Sequence, residues 1–140
     1  MVIPILRNII LNDKAPKNID YFAIGAIAEI TTEGNTGADD FAFGIITPQK
    51  LMAITKNGKM VFGKATFIVN EANMRLNMEL IEDEIKKILL KCSRETWEET
   101  ALAINYYLDW EYYNPSVGVS EFYLQSLNLK KQTFYVKQSD

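Results

Sequence analysis

The apolar positions of this chain change their period near Leu76. Before it they fall in short runs of β-type spacing; beyond it they recur every three or four residues. Residues 2–11, rich in Ile and Leu with Pro4 near the start, suit an edge or first strand. A polar connection, DKAPKNID (13–20), leads to YFAIGAIAEITT (21–32), which reads as a second strand. Phe22, Ile24, Ala26, Ala28 and Ile30 share one face of it; Gly25, Ile27 and Glu29 share the other. Gly25 marks a bulge or a close backbone approach. The turn EGNTGADD (33–40) joins this strand to a third, FAFGIIT (41–47), as a hairpin. Thr47 stands as an N-cap, and Pro48 fixes the first turn of a short helix over 49–56 that Asn57-Gly58 ends. Residues 59–70 are strand-like again, interrupted at Gly63.

Leu80, Ile81, Ile85, Ile88, Leu89 and Cys92 then give the stripe of an amphipathic helix. Glu82/Lys86 and Asp83/Lys87 add acid-before-base pairs one turn apart on it. A second helix begins at Ser93 or Thr96. Thr96 followed by Glu99 fits a capping box, and early acids suit the positive end of the helix dipole. Trp97, Ala101, Ile104 and Leu108 form its buried stripe, and Asn114-Pro115 closes the segment. Farther on, Phe122/Leu124 and Phe134/Val136 suggest a hairpin turning at 128–131, with a short helix over 120–130 as the alternative. Strands first and two consecutive helices later predict an α+β fold, an antiparallel sheet with both helices on one face.

Length and composition narrow the chemistry. The chain's 140 residues, nearly half of them apolar, suit one domain with a real core. Histidine is absent, which removes His-dependent nucleophile arrangements, ordinary His bases and nearly all zinc sites. The one cysteine, Cys92, has no partner for a disulfide. No run of apolar residues is long enough to cross a membrane, and the apolar start is broken too early by Arg7 to act as a signal peptide. The expectation is a cytoplasmic protein with no cofactor, no metal and no membrane partner.

Charge changes the picture further. Residues 93–113 hold five acids, Glu95, Glu98, Glu99, Asp109 and Glu111, against the single base Arg94, whereas residues 1–92 hold eleven of each. Both tryptophans and four of the seven tyrosines lie in the same segment. Glu95 and Glu99, four apart, resemble an acid-base pair, yet first-turn glutamates ordinarily stabilise a helix N-terminus, and that reading is preferred. The aromatic set Tyr106, Tyr107, Trp110, Tyr112 and Tyr113 is unsuited to direct nucleic-acid binding, because interleaved carboxylates repel phosphate. It suits a protein surface, where aromatics anchor and acids steer a basic partner. Trp97 is assigned to the core, and Trp110 stands between core and surface. Asp39 and Asp40 end a turn that lacks the ligand spacing of a calcium loop.

Taken together, three segments resemble the polymorphic-toxin immunity protein 8 family: DDFAFGIITPQKL (39–51), the first long helix ending near Cys92, and ETWEETALAINYYLDWEYY (95–113). The family pattern F-x-F-x-x-x-TP-x-x-L falls on Phe41, Phe43, Thr47, Pro48 and Leu51. Its TW-x-E and W-E-aromatic motifs fall on Thr96, Trp97, Glu99, Trp110, Glu111 and Tyr112. The resemblance covers roughly residues 1–113; residues 114–140 extend beyond it, and the loop at 57–63 departs from its shape. It implies a bacterial cytoplasmic protein without enzymatic activity that neutralises a cognate secreted toxin domain, as in contact-dependent growth inhibition. A basic toxin, such as a nuclease, would fit the acidic segment. The expected toxin contacts are Glu98, Asp109, Glu111, Tyr112 and Tyr113, with Asp39 and Asp40 second; Trp97, Phe41 and Phe43 belong to the core. The alternatives are a small hydrolase using Glu95/Glu99, and a dimerisation module pairing through residues 118–140.

Overall fold

The structure is a computed structural model that describes residues 1–61 and 63–114, together with the backbone of residues 118 and 119. The chain divides into two compact units, Met1–Trp110 and Glu111–Asp140. In the first unit, β1 (Pro4–Leu11), β2 (Ala23–Thr32) and β3 (Asp39–Ile46) form an antiparallel meander with β1 at its edge. The far side of β3 is shared by two short strands. β4 (Thr66–Ile68) runs parallel to its C-terminal half, and β5 (Asp109–Trp110) runs antiparallel to its N-terminal half. Among the described residues three α-helices complete the α+β fold: α1 (Pro48–Ile54), α2 (Met74–Leu90) and α3 (Trp97–Ile104). In the second unit, β6 (Tyr113–Asn114) pairs antiparallel with β7 (Gly118–Val119). The hairpin expected over 122–136 lies outside the described residues.

Period-two alternation decides which side of the sheet is core. Ala26, Ala28 and Ile30 of β2 are fully buried, and they face Phe43, Phe41 and Asp39 across the β2–β3 register. Gly25, Ile27 and Glu29 turn to the other side and are half-buried. No bulge occurs at Gly25. Instead the Asn12 side chain crosses it, and a Cβ there would sit 2.8 Å from Asn12 Nδ2. The bulge lies in β1, between Leu6 and Asn8, where it blunts an otherwise long free edge.

Local signals set the helix starts. Thr47 accepts from Lys50 N–H as the N-cap of α1, and Pro48 follows it. Asn57 and Gly58 both take positive φ in the 3-10 turn after the helix, a conformation that Asn and Gly tolerate best. Asn73 caps α2 by accepting from Leu76 N–H. Ile81, Ile85, Ile88 and Leu89 of α2 are buried. Leu80 is half exposed, a full helical step off that stripe. Thr96 caps α3 by accepting from Glu99 N–H at 3.1 Å, while its hydroxyl donates to the Glu99 carboxylate at 2.9 Å.

Three boundaries differ from expectation. β3 begins at Asp39, so Asp39 and Asp40 are strand residues and not part of the hairpin loop. β4 is only three residues long. Helix α3 stops at Ile104 and does not run on to Leu108. It stops because Asn105 turns the chain: its side-chain Oδ1 accepts from Trp110 N–H at 3.0 Å, which starts β5 along β3.

Candidate functional site

One carboxylate organises the segment where charge and aromatic residues coincide. Asp39, the first residue of β3, accepts from Trp97 Nε1–H at 2.8 Å and from Trp110 Nε1–H at 3.0 Å, both on Oδ2. The pairing of β5 with β3 sets Trp110 opposite Phe41, and the two rings stack at 6.4 Å with a 13° interplanar angle. Trp97 meets the same Phe41 edge-on at 6.4 Å. Trp110 is thus a core residue, 1% exposed, whereas Trp97 is half-buried. The sequence puts Trp97 in the core and leaves Trp110 undecided, because the acids flanking Trp110 hide the fact that a strand turns alternate residues to opposite sides.

The other side of the sheet gathers acids. Asp40 stands opposite Glu29, and Asp109 stands opposite Ala42, two residues along β3 from Asp40. Paired and alternate positions share a face, so Glu29, Asp40 and Asp109 share the open side of one sheet. Burial first, and then the carboxylates of Glu29 and Asp39, raise the Asp40 pKa above its ordinary value. Asn8 Nδ2 donates to Glu29 at 3.1 Å, and Arg7 lies 3.9 Å from it. Lys64 pairs with Asp109 at 3.4 Å and also donates to the carbonyls of Asn105 and Leu108. One lysine therefore ties down both the acid and the turn that carries it.

Helix α3, which packs through Trp97 on the Phe41 side of the sheet, carries Glu98 as a half-buried acid in its first turn. Glu95 precedes the N-cap Thr96, so it shares no helix face with Glu99, and Glu99 is itself bound to Thr96. No group of three or more potential metal ligands occurs among the described residues, and none of their helices is long and apolar enough to cross a membrane.

Of the residues expected at the site, Asp40 and Asp109 come together on one face and Asp39 turns to the opposite one. Glu111 and Tyr113 are exposed and Tyr112 is half-buried, all within the second unit. Sequence reasoning missed Glu29 and Lys64. Glu29 had a signal, since its strand face was read correctly and only the register was lacking. Lys64 had none, its partners lying some forty residues away.

A family model described as Immunity protein 8 matches residues 5–114. No curated protein and no solved structure matches the chain.

Proposed function

We propose that this chain, which belongs to the immunity protein 8 family, binds a cognate bacterial toxin domain and neutralises it by stoichiometric contact, without turnover, metal or cofactor. It acts in the cytoplasm of the cell it protects. The toxin is a basic enzyme, a nuclease in the reading that charge supports best. Carboxylates of the immunity protein stand where backbone phosphates would, and tyrosines where bases would stack. The observation that carries this reading is the shared face of Glu29, Asp40 and Asp109, held on a sheet and so needing little ordering on binding. Glu98, Asp109 and Asp40 are the acidic contacts of the first unit in this proposal; Glu111, Tyr112 and Tyr113 are the contacts proposed for the second unit, taken by itself. Asp39 contributes from behind by holding Trp97 and Trp110. Residues 115–140 lie beyond the family match.

The test is co-expression with the toxin domain encoded beside this chain's gene. Wild type should restore growth and co-purify with the toxin. Glu98→Lys combined with Asp109→Lys should slow association by roughly tenfold or more. Normal affinity in that folded double variant would remove this surface from the interface.

A further inference from the structure

We propose that a groove between the end of α2 and the second face of α3 receives an acid-bearing apolar element of the toxin domain; the claim rests on the immunity reading above. Helix α3 carries two stripes. Ala101 and Ile104 are fully buried and face the core. Glu99, Leu102 and Ala103 follow the i, i+3, i+4 spacing of a second face, Tyr106 follows in the turn beyond the helix end, and together they line an open groove of about 390 Å³. Its floor is apolar, with Leu102 and Ala103 half-buried, while Tyr106 is 83% exposed at its end. A tyrosine standing that far out beside an apolar floor is the kind of rigid anchor that protein interfaces use.

The opposite wall is cationic. Lys91 lies over the Tyr107 ring, 5.9 Å from its centroid. Arg94 is held in place by its Nη1, which donates to the carbonyls of Lys91 and Ser93 at 2.9 and 3.0 Å. Its Nε and Nη2 have no partner among the described residues, so part of the planar fork remains for a carboxylate. Glu99, the acid lining this groove, is already hydrogen-bonded to Thr96. The groove therefore presents positive charge on an apolar floor, the complement of a Glu or Asp beside an aliphatic or aromatic side chain. With two cations and an aliphatic floor, it fits a protein element better than a nucleotide. A partner that meets acids at the sheet face and cations here is fixed in orientation as well as attracted.

The test uses the full chain and the catalytically inactivated toxin domain encoded beside its gene. Tyr106 is exposed, so Tyr106→Ala should leave thermal melting unchanged, whereas Lys91→Glu, at the C-cap of α2, should lower it only by a few degrees and leave the protein folded. Tyr106→Ala should weaken toxin affinity by roughly ten- to a hundredfold, mostly through faster dissociation. Lys91→Glu should weaken it too, and a compensating acid-to-lysine change on the toxin should restore binding. If both variants bind like wild type while Glu98→Lys/Asp109→Lys is weakened, the groove is not a toxin contact and the immunity reading stands. If wild type binds no toxin, that reading falls and this one with it. Unchanged toxin affinity, with Tyr106→Ala instead weakening self-association in sedimentation velocity or the binding of a mononucleotide, would also overturn the proposal.

Discussion

Neighbouring aspartates here do opposite things, because a strand sends them to opposite faces. Asp39 accepts two indole N–H groups, one of them on a tryptophan that is only 1% exposed. Removing the acceptor strands a buried donor, so Asp39→Ala should cost about 2–3 kcal/mol in urea unfolding. Asp39→Asn keeps an oxygen acceptor and should cost clearly less. If the two variants are equally stable, the shared acceptor does not hold the tryptophans. Asp40 instead faces Glu29, and burial and that carboxylate raise its pKa above the ordinary 3.8. The folded state therefore holds this proton more tightly than the unfolded state does. The stability this group contributes is present below about pH 3.8 and is lost as pH rises through the folded value. Asp40→Asn cannot titrate. Its stability relative to wild type should consequently be more favourable at neutral pH than in acid, as read from urea midpoints along a pH series.

Element ends divide into those legible in the sequence and those that are not. Thr47, Asn73 and Thr96 each accept from a backbone N–H three residues on; the sequence reads Thr47 and Thr96 as caps, but not Asn73. The end of α3 could not be read locally. It depends on Asn105 bonding Trp110 N–H and on Lys64 bonding the carbonyls of Asn105 and Leu108. Lys64→Met should therefore loosen the α3–β5 turn and cost about 1–3 kcal/mol. Asp109→Asn removes only a pair whose carboxylate side chain is 58% exposed, and should cost under about 1 kcal/mol. Urea denaturation of the two variants checks the order. If they rank the other way, the ion pair holds the turn and the carbonyl contacts do not. The same order explains why Asp109 is a usable position for charge reversal in the binding test.

Across the whole molecule, charge is more segregated than its totals suggest. Residues 1–92 balance, yet residues 41–70 hold four lysines and no acid, while the acids Glu29, Asp40 and Asp109 meet on one side of the sheet. If the toxin is steered by that side, raising salt from about 0.05 to 0.5 M should slow association by about tenfold and change dissociation much less, as stopped-flow mixing would read. A salt-independent association rate would contradict electrostatic steering.

The amino-acid order alone determined what acts over a few residues: strand faces from period two, helix stripes from period 3.6, helix starts from capping side chains, and the motifs that mark the family. Ala26, Ala28 and Ile30 fell on the buried face for that reason. Only the tertiary structure decided which tryptophan is core, why Asp39 and Asp40 part company, and where α3 ends. Those answers rest on hydrogen bonds between residues 58, 71 and 41 positions apart. Such contacts follow from strand register, and register is chosen by the packing of the whole sheet and not by any local stretch of it.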